Sequence, residues 1–339
     1  MEKKERLTQK IKLSAIFILL ILALNQCTSD TKPKDSVKGK NIPEVKVSPS
    51  IKIPVFNADS AYDFIQDQVG FGPRVPNTKE HEACANYLVN KMNQYADSAF
   101  IQYGNATTWD NKTLFMKNII AVFSPKKRNR ILLSAHWDTR PWADEDTARQ
   151  DEPIVGANDG GSGVGVLLEI ARNLSIQQPE LGIDIILFDA EDWGKPNESN
   201  SYCLGSQYWA NNPHDKNYRD KARFGINLDM VGGKDAIFAK EGESMLKSRW
   251  VMDKVWKIGQ GLGHNEFIDF TRQGIVDDHF YVNTILNFPY IDIINYGVAE
   301  GGGFGHFWHT HKDNMDVIDR KPLKAVGETV MHTIFKEIN

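Results

Sequence analysis

The feature that most constrains this chain is a series of short apolar runs separated by segments of helical period. Asn118–Phe123, Arg130–Ala135, Ile183–Phe188, Phe224–Leu228 and Tyr290–Ile294 are each rich in Ile, Leu, Val or Phe and bounded by polar or breaker residues. Runs this short and this apolar read as buried strands. The first two, separated only by a breaker segment, are expected to be adjacent. Between the second and third, Gly161 to Leu174 places Val164, Leu167, Leu168, Ala171 and Leu174 on one helical face. Ser244 to Leu262 and Pro322 to Ile338 read as further helices. Upstream, Asn57-Ala58-Asp59 opens a helix carrying Tyr62, Ile65 and Val69, and Asn77 with Glu80 resembles a capping pair before a helix to about Tyr95. Strands alternating with helices imply an α/β fold: a mixed, mainly parallel central sheet with helices on both faces.

The chain has 339 residues, 40 Lys+Arg against 44 Asp+Glu, and a formal net charge of −4. Such a balance gives no support for nucleic-acid binding by bulk charge. The three cysteines, Cys27, Cys84 and Cys203, are too few for a disulfide scaffold. Cys84 and Cys203 are either a pair or two buried thiols, and sequence alone does not choose.

The first residues read as an export signal. Lys3, Lys4, Arg6, Lys10 and Lys12 precede an apolar run from Leu13 to Leu24, interrupted by Ser14. That run is short for a membrane span and suits the h-region of a secretory signal. Cys27 follows directly, as in a bacterial lipoprotein signal, although Gln26 stands where a small residue is usual. Residues 28–52 are rich in Lys, Ser, Pro and Asp and read as a flexible tether. The expected organisation is a signal over 1–27, a tether over 28–52 and one α/β domain over 53–339. The expected location is a bacterial periplasm or cell envelope, with a lipid or signal anchor at the membrane and a monomeric chain.

The stretch Gly160-Gly-Ser-Gly-Val-Gly165 has neither the G-x-G-x-x-G nor the G-x-S-x-G spacing, so neither dinucleotide binding nor a serine nucleophile is supported. Close packing of a helix start on a strand explains it better. Polar residues follow the strands: His136-Trp137-Asp138, Asp159, Glu191-Asp192-Trp193, Asp229, and His309 after a glycine-rich loop. In open α/β sheets the site forms outside the carboxyl ends of the strands. Imidazole mixed with carboxylate suits zinc. The absence of H-E-x-x-H excludes a helical zincin site. Of the neighbours Glu191 and Asp192, one can bind metal while the other carries a proton.

These residues resemble the zinc-dependent aminopeptidase superfamily and, within it, the animal-type glutaminyl cyclases and their bacterial relatives. The shared motifs are His136-Trp-Asp138, Gly156-Ala-Asn-Asp159-Gly-Gly-Ser-Gly163, Phe188-Asp-Ala-Glu191-Asp192, Leu204-Gly-Ser206, Leu228-Asp229 and His309-Thr310. Trp193, Val276-Asp277-Asp278-His279-Phe280 and Trp308 point to the cyclases. The resemblance implies one zinc held by Asp159, Asp192 and His309, with Glu191 as general acid/base. It implies that Asp229 and Asp277 form an acidic network with Glu191 and that Trp193 and Trp308 line the substrate pocket. Asp192 departs from the animal enzymes, which carry Glu there. Trp109 and Trp142 are further candidates for the pocket rim, and Asp138, Asp278 and His279 for supporting roles.

The implied reaction converts the N-terminal glutamine of a peptide or protein to pyroglutamate and ammonia. The alternative is a two-zinc aminopeptidase, with His136 and Asp229 as added ligands. A tethered binding protein with an inactive site is a third reading, disfavoured by the intact ligands and Glu191. A structural surface protein has no positive support.

Overall fold

The computed structural model describes residues 52–297 and 303–338. The signal and tether expected over 1–52 therefore lie, all but Lys52, outside the described residues.

In chain order the elements are α1 (Ala58–Val69), α2 (Lys79–Tyr95), β1 (Ser98–Thr107), β2 (Thr113–Phe123), β3 (Arg130–His136), α3 (Gly161–Ile176), β4 (Gly182–Phe188), α4 (Leu204–Asn211), α5 (Tyr218–Lys221), β5 (Ala222–Asp229), β6 (Phe238–Lys240), α6 (Gly242–Gly261), β7 (Phe267–Thr271), α7 (Asp278–Leu286), β8 (Tyr290–Ile294) and α8 (Arg320–Lys336). The central sheet runs β1-β2-β4-β3-β5-β8. Strands β4, β3, β5 and β8 pair in parallel, while β2 joins β4 and β1 joins β2 antiparallel. The mixed, mainly parallel α/β architecture matches the expectation.

The order of two strands does not. β2 and β3 are not adjacent, because β4 lies between them. Arg130 shows why. Its guanidinium pairs with Asp184 inside β4 through Nε–Oδ2 at 2.6 Å and Nη2–Oδ1 at 2.7 Å. It also donates to the carbonyls of Phe123 and Ile183, each at 3.0 Å, so one buried cation ties the ends of all three strands. A Cβ at Gly182 would lie 2.3 Å from Arg130 Nη1, so glycine makes room for it.

Successive sheet residues feed opposite faces. Ile119, Ala121, Ile131, Leu133, Ile183, Ile185, Ile226 and Ile291 enter the larger core with α1, α2, α3, α6 and α8. Ile120, Leu132, Ile186, Phe188 and Tyr290 enter a second core with Trp209, Tyr218 and Val282. Helix α3 is buried along nearly its whole length. Its glycines permit that: a Cβ at Gly163 would come within 2.2 Å of Leu228 O and 2.8 Å of Ala135 Cβ. The close helix-to-strand packing expected of the glycine stretch is present.

Asn57 caps α1, accepting from the amides of Asp59 and Ser60. The cap of α2 is Thr78, which accepts from His81 N, one residue later than expected. Asn77 instead takes a left-handed conformation, φ 74°, and bonds across to Thr113 O and Phe115 N. Strand β1 escapes the apolar-run criterion because no residue in it is buried. Cys84 and Cys203 are both buried free thiols, which decides between the two possibilities for them. No helix among the described residues is long and apolar enough to cross a membrane.

Candidate active site

The parallel strands deliver the polar residues to one end of the sheet, as their carboxyl ends must. β3 ends on His136 and β5 on Asp229, while Glu191 and Asp192 follow β4 and Asp159 directly precedes Gly160, the cap of α3. Four non-glycine residues around them take left-handed backbone conformations: Ala190 (φ 53°), Cys203 (58°), Met230 (49°) and His309 (52°). Such conformations are disfavoured for residues with a Cβ and persist where the surroundings enforce them. Here they turn the chain beside Glu191 and Asp229 and aim His309.

Buried groups hold each of these loops. Asp138 accepts from the backbone amides of Glu191 (3.0 Å) and Asp192 (3.2 Å). Asp313 does the same for Asn158 (2.8 Å) and Asp159 (3.0 Å). Arg74 donates to the carbonyls of Trp137, Val155 and Gly156 at 2.7–2.9 Å. Asp138 thus orders the backbone that presents the acidic pair and stands outside the donor groups described next.

Two buried donor groups share Asp159: Asp159 with Asp192 and His309, and Asp159 with His136 and Asp229. Within each, the donor atoms lie within 4.8 Å of one another. Asp159 Oδ2 and Asp192 Oδ2 are buried without a hydrogen-bond partner. Carboxylate oxygens in that state are costly, and a cation satisfies both. One imidazole and two carboxylates, with a fourth position open to a cavity, is a donor set that fits catalytic zinc. In the second group His136 Nε2 lies 3.1 Å from Asp159 Oδ1 and 3.3 Å from Asp229 Oδ1.

Glu191 stands beside the first group with 13% of its side chain exposed, against 3% for Asp192. Burial, together with the charges of Asp192, Asp277 and Asp278, holds its carboxyl well above the usual range, against the pull of His136. Burial likewise raises Asp229; His136 opposes, Asp277 and Asp159 assist, and the result is about 7. Burial lowers His309, but Asp192 and Asp144 outweigh it and push the imidazole up to about 9. Asp277 caps α7 and accepts from Asn227 Nδ2 at 3.1 Å. The thiol of Cys203 donates to Glu191 Oε1. His279 pairs with Glu241 through Nε2 (3.1 Å) and faces Asp292 and Asp277 with its ring nitrogens, outside the two groups that share Asp159.

A cavity of about 260 Å3 opens over the first donor group, lined by Asp159, Glu191, Asp192, Asp229, Asp277 and His309 with apolar and aromatic walls. Trp308 is in the wall, stacked on the His309 ring at 3.6 Å between centroids. Trp193 is not among the lining residues. It stands in an edge-to-face row with Trp142 (5.7 Å), which meets Trp109 in turn (6.2 Å). None of that row lines the cavity. Tyr202, Phe304 and Met230 form walls that no sequence motif marks. Arg140 and Asp144, which reach the cage from a polar loop, also escape sequence reasoning. Their spacing of four residues was the signal that could have linked them to each other, though not to the site.

Comparison with known proteins agrees with this geometry. The model of peptidase family M28 matches residues 118–334. The crystal structure of Bacteroides thetaiotaomicron glutaminyl cyclase bound to N-acetylhistamine superposes with a TM-score of 0.82 at 49% identity, covering 85% of this chain and all of that one. The Bacillus subtilis aminopeptidase YwaD is 25% identical over 66% of this chain, and the bovine glutaminyl-peptide cyclotransferase 25% identical over 62%. The match spans 45% of the first relative's own length and 63% of the second's. With the family model covering the strands and loops that build the site, the chain belongs to peptidase family M28.

Proposed function

We propose that this chain is a zinc-dependent glutaminyl-peptide cyclotransferase that closes the N-terminal glutamine of peptides or proteins to pyroglutamate with release of ammonia. The observation that carries the reading is the placement of Glu191 beside the Asp159–Asp192–His309 group, in one cavity with apolar and aromatic walls. The 49% identity to a glutaminyl cyclase along its full length supports cyclisation over peptide hydrolysis.

Asp159, Asp192 and His309 would hold the ion. Bound there, zinc supplies a Lewis acid for the substrate γ-carbonyl oxygen. Glu191 takes a proton from the substrate α-amine as that nitrogen bonds to the γ-carboxamide carbon. It returns the proton to the departing amide nitrogen, the old C–N bond breaks, and ammonia leaves. A carboxyl held above its usual range is suited to both halves of that transfer. Asp229, whose carboxyl burial also raises with help from the nearby charge of Asp277, can keep a further proton beside it. Trp308, Phe304 and Tyr202 hold the bent glutamine and exclude water, which favours the internal nucleophile over hydrolysis.

We infer one ion per chain. His136 Nε2 converges on Asp159 and Asp229, the donor set that a second ion would take in the two-zinc alternative, so the single-ion count rests on the cyclase reading. The N-terminal signal with Cys27 supports an enzyme exported to the cell envelope and anchored there.

The deciding experiment incubates zinc-replete protein with Gln-Ala and Leu-Ala and reads products by mass. Loss of ammonia from Gln-Ala with Leu-Ala intact is expected, at one zinc per chain. Free N-terminal amino acids would instead establish the aminopeptidase.

A further inference from the structure

Arg140 is 1% exposed, yet its whole guanidinium is engaged. Nε and Nη2 grip Asp144 in a two-bonded fork at 2.7 and 2.6 Å. Nη1 reaches Asp192 Oδ1 and Asp192 O at 3.1 Å each, and Gly194 O at 3.2 Å. Asp144 Oδ1 in turn lies 3.2 Å from His309 Nδ1, and His309 Nε2 lies 3.3 Å from Asp192 Oδ1. The four side chains Asp192, Arg140, Asp144 and His309 therefore close a ring, and two of them belong to the metal-donor group.

From this ring we propose that Arg140 and Asp144 are positioning residues for the zinc cage: Asp144 sets the tautomer of His309, and Arg140 sets the rotamer of Asp192. The inference rests on the zinc reading above.

The physical argument has two parts. A carboxylate beside Nδ1 favours the proton on that nitrogen and leaves the Nε2 lone pair turned toward Asp159 and Asp192. At 3.2 Å the contact is electrostatic, without an aligned hydrogen bond, so charge rather than angle carries it. Arg140, for its part, occupies Asp192 Oδ1 and leaves Oδ2 as the partnerless oxygen. The planar fork delivers both bonds to Asp144 while a third nitrogen serves Asp192, a geometry an ammonium cannot reproduce. The guanidinium carbon also sits 5.8 Å from the ring centroid of Tyr202, a cavity wall, so the same cation couples the cage to the pocket. Asp192 is one carbon shorter than the Glu of the animal enzymes. An anchor on both its carboxylate and its own carbonyl holds so short a side chain where a cage needs it.

The test uses the full protein stripped of metal, with zinc titrated against a chromophoric chelator. Wild type, Arg140→Lys and Asp144→Asn are compared, with circular dichroism and Tm of the metal-free forms as the fold control. Expected is a loss of zinc affinity of about 10- to 100-fold in both variants. The visible spectrum of cobalt(II)-loaded Asp144→Asn should also change. Asp144 is one-third exposed, so Asp144→Asn decides alone if Arg140→Lys fails to fold. Folded variants that bind zinc within about twofold of wild type, with an unchanged cobalt spectrum, would overturn the inference. Wild type that itself binds no zinc would be a separate result, overturning the zinc reading and this inference together.

Discussion

The buried thiol of Cys203 donates a hydrogen bond to Glu191 Oε1 at 3.2 Å, and the Cys203 backbone amide donates to Glu191 O at 2.8 Å. Burial first, then the charges of Glu191, Asp278 and Asp277, hold this thiol well above its usual pKa, so it remains a donor. Cys203→Ala should retain zinc and lower kcat about three- to tenfold, the scale of one hydrogen bond of ~0.5–1.5 kcal/mol. Cys203→Ser, which restores a donor, should recover part of that loss. Equal kcat in wild type and Cys203→Ala would remove the thiol from the account.

Glu191 and Asp192 are neighbours with separate roles. Glu191→Gln should lower kcat by about 10²- to 10⁴-fold, the usual scale for losing a general acid/base, and keep its zinc. Asp192→Asn should lose zinc and activity together. Metal analysis beside kinetics checks both, and equal zinc loss in Glu191→Gln would refute the division.

Trp308 lines the cavity and Trp193 stands in the tryptophan row, so their substitutions should separate. Trp308→Ala should raise KM for a glutaminyl peptide about tenfold, within the usual range for a buried aromatic contact. Trp193→Ala should lower Tm, because it opens a gap between Trp142 and the small core of Leu114 and Met116. A KM effect of Trp193→Ala as large as that of Trp308→Ala would show that Trp193 also contacts the substrate.

Glu241 caps α6 and faces His279. Burial raises its carboxyl, but His279 and the amides of Ser244 and Glu243 outweigh burial and bring it down to about 2, from an ordinary 4.5. A depressed carboxylate contributes stability that is full above the unfolded value and is lost as pH falls through the folded one. Glu241→Gln should therefore destabilise the protein at neutral pH by on the order of 3 kcal/mol. The gap between variant and wild type should narrow between about pH 4.5 and about pH 2. Denaturant unfolding across that range measures it, and a gap independent of pH would contradict the assignment.

Much of the site was legible in the chain because strand ends are local features. Apolar runs stop at His136 and Asp229 and just short of Glu191, and parallel strands bring such ends to one edge. The glycines of residues 160–165 were legible too, since a missing Cβ at Gly163 speaks directly of close approach. The cap of α2 falls on Thr78, one residue after the expected Asn77, because both residue types cap helices well. β1 was invisible because an edge strand need not bury anything.

The sequence by itself determined the α/β class and the candidate donor residues at the strand ends, because periodicity and residue type act over a few neighbours. Tertiary structure alone decided that β4 lies between β2 and β3, where the buried Arg130–Asp184 pair joins segments 54 residues apart. It also decided that Trp193 meets Trp142 edge to face, that Cys84 and Cys203 remain free, and that Arg140 links Asp192 to Asp144. Each of these depends on which way a side chain points once distant segments meet. That direction is set by packing and by the pairing of buried charges, neither of which is a property of any local stretch of chain.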